Sequence, residues 1–123
     1  MGQYLTAIEQ LEIELIVRDF ATTLNEGGDH EIHALLTDDV VYRASLRQCV
    51  TGRSAVVAMV RNIRSTFTEH RTELLEVAAA GRVVLTELSL HLALPTMKPQ
   101  TVMSFASFRV EQNRISAWHQ LHA

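Results

Sequence analysis

The last third of the chain, from Gly81 to Ala123, constrains the architecture more than any other stretch. Its residues, GRVVLTELSLHLALPTMKPQTVMSFASFRVEQNRISAWHQLHA, read as two long strands and a third that stops at the chain end. In the first, residues 82–94, Leu88, Leu90 and Leu92 alternate with Glu87, Ser89 and His91, the period of a half-buried strand. Pro95 and Pro99 bracket a loop, because proline offers no N–H to a ladder. A second strand is predicted over residues 101–110. Gln112 and Asn113 then turn the chain, asparagine being tolerant of positive φ. The last strand, residues 114–122, carries the only tryptophan, Trp118. A meander of this length curls, and the rest of the chain must cover it.

The cover comes first in sequence. Thr6 followed by Glu9 forms a capping box for a helix running to Asn25, with Ile8, Leu11, Ile13, Leu15, Val17, Phe20 and Leu24 as a broad apolar face. Gly27 and Gly28 stop it, and Asp29 caps a short second helix over residues 29–36. A strand over residues 40–44 pairs with residues 48–51, and Gly52 closes that hairpin. Ser54 caps a third helix whose face is Val56, Met59, Val60, Ile63 and Phe67. A strand over residues 71–79 leads into the meander. The order α-α-β-β-α-β-β-β-β, over one domain spanning residues 1–123, predicts an α+β fold: helices packed on one face of a mostly antiparallel sheet.

Composition narrows the function. A net charge of −3 provides no basic face for nucleic acid or an anionic membrane. Cys49 is the only cysteine, which excludes an internal disulfide and a cysteine-built metal site. No apolar run is long enough to span a bilayer, and MGQYLTAIEQ lacks the layout of a signal peptide, so a cytoplasmic protein is expected. His30 and His33 share a helix face, but no motif supplies a third ligand, and neither a metal nor a cofactor is predicted. Asp38 and Asp39, as neighbours, read as a turn into the strand rather than a catalytic pair.

Five segments, LNEGGD, LLTDDVVYRAS, TGRSAVVAMV, GRVVLTE and NRISAWHQ, together resemble the nuclear transport factor 2-like superfamily, nearest its SnoaL-like and limonene-epoxide-hydrolase-like branch. The resemblance implies a cone-shaped fold of three helices on a curved sheet enclosing a pocket. It implies no single reaction, since one fold hosts many. Limonene epoxide hydrolases carry an arginine and an aspartate two apart on the strand after GRVV, where this chain has Leu88 and Leu90. Their second aspartate, two residues after the tryptophan, corresponds to Gln120. Their tyrosine corresponds to Tyr42, and the asparagine beside it to Ala44 or Arg43. Ketosteroid isomerases would have a tyrosine at Phe20 and an aspartate base at Ala44. The acid–base carboxylates of both are therefore missing. A one-residue gap at Ala93-Leu94-Pro95 leaves a second register open, in which Glu87, Ser89 and His91 face inward.

The implied pocket draws on Phe20, Tyr42, Met59, Leu88, Leu90, Ser104, Trp118 and Gln120, and suits a small apolar ligand. Tyr42, Gln120 and His122 are the candidate catalytic residues, with His122 sharing the parity of Trp118 and Gln120 and offering an imidazole as a general base. His119 points the other way. Phe105 against Phe108, and Leu121 against Trp118, make the last strands apolar on both sides. Such a sheet needs a cover on each face, and a homodimer through the sheet is the expected one, with a non-catalytic ligand-sensing or scaffold module as the alternative function.

Overall fold

The computed structural model describes residues 5–122, with only the backbone of His122; residues 1–4, the first four of the ten read for a targeting signal, lie outside the described residues. Helix α1 is Ala7–Glu26, opened by the expected capping box: Thr6 Oγ1 accepts from Glu9 N–H at 3.0 Å, and Glu9 Oε1 from Thr6 N–H at 3.3 Å. It ends at Gly27, where a Cβ would lie 2.6 Å from Thr23 Cγ2 and 2.9 Å from the Thr23 carbonyl oxygen. Its buried residues are Ile13, Val17, Phe20 and Ala21. Ile8, Leu11 and Leu15, expected on the buried face, are exposed instead. At about 3.6 residues per turn they fall on the side opposite Val17, so the first half of α1 carries two apolar stripes, of which only one meets the sheet.

Helix α2 is Asp29–Ala34, shorter than expected because Leu36 already pairs with Ile115 in strand β1, Leu36–Arg43. Gly28 is its N-cap rather than Asp29, whose carboxylate takes Arg61 Nε at 2.6 Å. Asp38 and Asp39 lie inside β1, not in a turn before it. Strand β2, Cys49–Thr51, pairs antiparallel with β1, and helix α3, Arg53–Thr66, follows. Its N-cap is Gly52, at φ 97°, a left-handed conformation that glycine adopts without strain; Ser54, expected as the cap, is already helical.

The remaining strands are β3, Glu69–Ala80, β4, Val83–Leu94, β5, Met97–Glu111, and β6, Arg114–His122. Strand β5 starts four residues earlier than expected and contains Pro99. The missing N–H is tolerated there because pairing with β6 stops at Ser104↔His122, and the β4 ladder is irregular between Leu92 and Leu94. Gln112 and Asn113 turn the last hairpin at φ 53° and 61°.

The six strands form one open, curved sheet in the order β2-β1-β6-β5-β4-β3, antiparallel except for β1 beside β6. All three helices are carried on this sheet, an α+β arrangement. The core fills the concave side, where Phe20 and Val56 from the helices meet Val84, Leu88, Phe108, Ile115 and Trp118. Leu88 and Leu90 are buried on that side. The register left open by the sequence is therefore the one with leucines inward. Among the described residues, no helix is long and apolar enough to cross a membrane.

Candidate functional site

Trp118 is the centre of the concave face. Its ring is 4.7 Å from that of Tyr42, its cross-strand neighbour on β1, and 5.2 Å from Phe20, both edge-on. Phe108 stacks on it from β5 at 6.1 Å. The buried indole N–H needs an acceptor and finds one on its own strand, donating to Gln120 Oε1 at 2.9 Å. Gln120 Nε2 donates to Ser104 Oγ at 3.1 Å, and Ser104 Oγ donates to the Leu121 carbonyl at 2.9 Å. This chain of bonds fixes the Gln120 amide in one orientation.

Beside Trp118 opens a cavity of about 60 Å³. Leu24, Val60, Ile63, Leu90 and Trp118 form its apolar wall, and Tyr42, Arg64, His70, Thr72 and Gln120 its polar one. Two structural pins hold that polar wall. Strand β3 is a sheet edge, and at Thr72 its open side is closed by Asn25, which accepts from Thr72 N–H and donates to the Thr72 carbonyl, both at 2.7 Å. His70, two residues along, takes the same face, with its ring 5.5 Å from that of Phe67. Arg64, in the last turn of α3, donates through one nitrogen to the Gly27 carbonyl at 2.6 Å. The segment LNEGGD thus ties α1 to both β3 and α3.

The Tyr42 hydroxyl has no hydrogen-bond partner among the described residues. Burial pushes its pKa above the ordinary tyrosine value, so it stays a protonated donor through the neutral range. Among the described residues no aspartate or glutamate lines the cavity. Nor does any cluster of three histidine, cysteine or carboxylate groups suited to a metal occur among them.

The SnoaL-like domain profile matches residues 17–118. The chain belongs to the SnoaL-like family. This SnoaL-like chain is similar in structure to an epoxide hydrolase of the limonene-epoxide-hydrolase-like type from M. tuberculosis, at TM-score 0.83 and 22% identity over 94% of this chain and 85% of that one. It is similar to the epoxide hydrolase/cyclase-like enzyme SalBIII of pyran ring formation in the polyether salinomycin, at TM-score 0.83 and 16% identity, covering 94% and 93%. A protein with a ketosteroid isomerase-like fold from Catenulispora acidiphila superposes at TM-score 0.78 with 16% identity, covering 85% and 82%. At these identities the likeness shows the fold. No curated protein was found to match the sequence.

Of the residues singled out in the sequence, the SnoaL-like fold brings Tyr42, Leu90, Trp118 and Gln120 together in the cavity wall. Phe20, Leu88 and Ser104 are not in that wall; they are buried in the layer behind it. Met59 is half-buried at the core's margin and also outside the wall. The side chain of His122 lies outside the described residues. Sequence reasoning missed Arg64, His70 and Thr72. The third strand was predicted to begin at residue 71, which left His70 in a loop. Carried one turn of the pleat further, the parity of Thr72 places His70 on the inner face.

Proposed function

We propose that this SnoaL-like chain binds a compact, mainly apolar small molecule beside Trp118, with the Tyr42 hydroxyl gripping the molecule's polar atom. The observation that carries the reading is that hydroxyl: protonated, on a side chain in the wall of the cavity, and without a partner among the described residues. A donor that faces a small cavity can give its hydrogen bond to an oxygen atom of a bound molecule in place of water. The cavity is far smaller than the roughly 300–1,000 Å³ of drug-sized sites, which favours a compact ligand.

Any turnover is of the kind that donors and one imidazole support. Tyr42 polarises a carbonyl as an oxyanion-hole donor does, Gln120 orients the ligand, and His70 or His122 moves a proton, as an isomerisation or cyclisation requires. Epoxide hydrolysis by the carboxylate route is disfavoured, because Leu88, Leu90 and Gln120 stand where that route needs an arginine and two aspartates. A thermal-shift screen against small lactones, epoxides, terpenes and aromatic ketones tests the binding. Tyr42→Phe should weaken any hit while leaving the fold intact. Epoxide turnover that disappears in Gln120→Ala would overturn the reading.

A second reading, a dimeric sensing or scaffold module without catalysis, is favoured by one observation. Leu85, Met103, Phe105 and Leu121 are exposed together on the convex side of β4, β5 and β6. Contiguous apolar surface of this kind marks an interaction face, and a second copy of the chain laid sheet to sheet would cover it.

A further inference from the structure

We infer that the molecule taken by the cavity is a small monocarboxylic acid, bound as its anion with Arg64 as the charged anchor. The inference rests on the pocket reading above and adds the charge of the ligand. It begins with the balance of donors and acceptors. Every polar side chain in the wall can donate: the Tyr42 and Thr72 hydroxyls, the Arg64 guanidinium, the His70 ring and Gln120 Nε2. The one strong acceptor among them, Gln120 Oε1, is already taken by Trp118. A ligand matching this wall must bring acceptors, and among the described residues no carboxylate in the wall supplies a counter-charge to the arginine.

Arg64 is where that charge sits. Of its five N–H donors one is spent on the Gly27 carbonyl, and it forms no ion pair with an aspartate or glutamate among the described residues. Arg61, one turn earlier on the same helix and well exposed, is paired with Asp29 at 2.6 Å. The contrast is the reverse of what packing alone favours. The partly buried arginine, which loses more hydration, is the one without a carboxylate. Its position in the last turn of α3 is eased by the helix dipole, but that leaves the remaining donors of the guanidinium fork to be met. A carboxylate meets two of them at once, in the planar geometry that arginine recognises best.

Size and wall chemistry fix the rest of the molecule. On the scale where one water needs about 10–15 Å³, the cavity holds roughly four to six waters. Leu24, Val60, Ile63 and Leu90 surround that volume with hydrocarbon. A short branched or small cyclic acid fits both facts, and a polyacid or a sugar acid fits neither.

The test is titration calorimetry of the full chain near neutral pH with isobutyrate, isovalerate and benzoate, each against its own amide. The amides have nearly the same shape without the charge. The acids should bind more tightly than the amides by about tenfold or more, the size of one charge-assisted hydrogen bond. Arg64→Met should remove that preference by lowering acid binding far more than amide binding, and Arg64→Lys should restore part of it. If acids and amides bind equally, the charge inference fails while the pocket reading stands. If neither binds, both fail. The acid-to-amide comparison needs no variant, so a poorly folding Arg64→Met would not spare the inference.

Discussion

On the concave face of the sheet, Val84, Leu88, Phe108, Ile115 and Trp118 are buried. On the convex face Leu85, Met103, Phe105 and Leu121, carried on the same strands, are exposed, Leu121 to 63%. The pleat alone decides that successive residues part company. It does not decide which side is covered, and here the cover is α1 and α3, whose Phe20, Val56 and Val60 fill the concave side. The polar groups differ in the same way. The concave face pairs its buried polar atoms internally, from Trp118 through Gln120 to Ser104. The convex face holds its polar groups at the surface, with His91 between Glu73 and Thr101 at 3.3 Å each. One face is an interior with a small hole in it. The other is a surface with apolar side chains to spare.

If that division is right, truncating the concave side should do the most damage. Phe20 has no exposure and touches both Trp118 and Phe108 edge-on. Phe20→Ala should cost about 3–5 kcal/mol, read from chemical denaturation, through lost burial and the space left behind. A midpoint close to that of the unaltered protein would mean that Phe20 is not at the centre of the core.

How much of this the sequence discloses depends on which physical signal each feature leaves. The element order, the α1 capping box and the last hairpin were legible because each rests on local chemistry: Thr6 with Glu9, and Asn113 at a tight turn. The buried face of α1 was only half legible. Ile8, Leu11 and Leu15 are as apolar as Ile13 and Val17, and only tertiary packing separates the two stripes. The caps of α2 and α3 were misassigned to Asp29 and Ser54, because glycines at Gly28 and Gly52 do the same job without a side-chain signature. In the cavity wall Tyr42, Leu90, Trp118 and Gln120 followed from strand parity and from resemblance. Arg64, His70 and Thr72 come from a helix end and an edge strand, and nothing local marks residues that meet only when the sheet curls.

Gln120 provides the next test of the concave face. Replacing it with leucine keeps the volume but strips the Trp118 N–H of its acceptor and Ser104 Oγ of a donor. The expected loss is about 1–3 kcal/mol, the cost of leaving a buried polar group unpaired. Loss of the bond should also shift the tryptophan emission. A neutral substitution would mean that water reaches the indole and the interior is wetter than the concave face implies.

Asn25→Ala probes the rim where the concave face ends. Asn25 holds both the N–H and the carbonyl of Thr72 at the sheet's open edge. Two bonds of about 1 kcal/mol each are removed, partly offset by water at this half-buried site. The signature should be local: faster amide hydrogen exchange around Thr72, with β5 and β6 unchanged. Uniformly faster exchange would show that the clamp supports the whole core rather than its edge.

The smallest expected effect on stability falls on the convex face and tests the comparison from the other side. Phe105 is exposed and lies opposite Glu87 on β4 and Leu121 on β6. Phe105→Lys places a charge beside Glu87, where it is welcome, so the monomer should change by no more than about 0.5 kcal/mol. Assembly should respond far more strongly. With a second copy on this face, sedimentation at micromolar concentration should find dimers of the unaltered chain and monomers of Phe105→Lys, because two lysines would meet in a dry interface. Monomers in both cases would leave the convex apolar residues as ordinary surface and remove the support for the module reading. A large stability loss without any change in assembly would break the comparison itself, since it would mean that the convex face is part of the chain's own core.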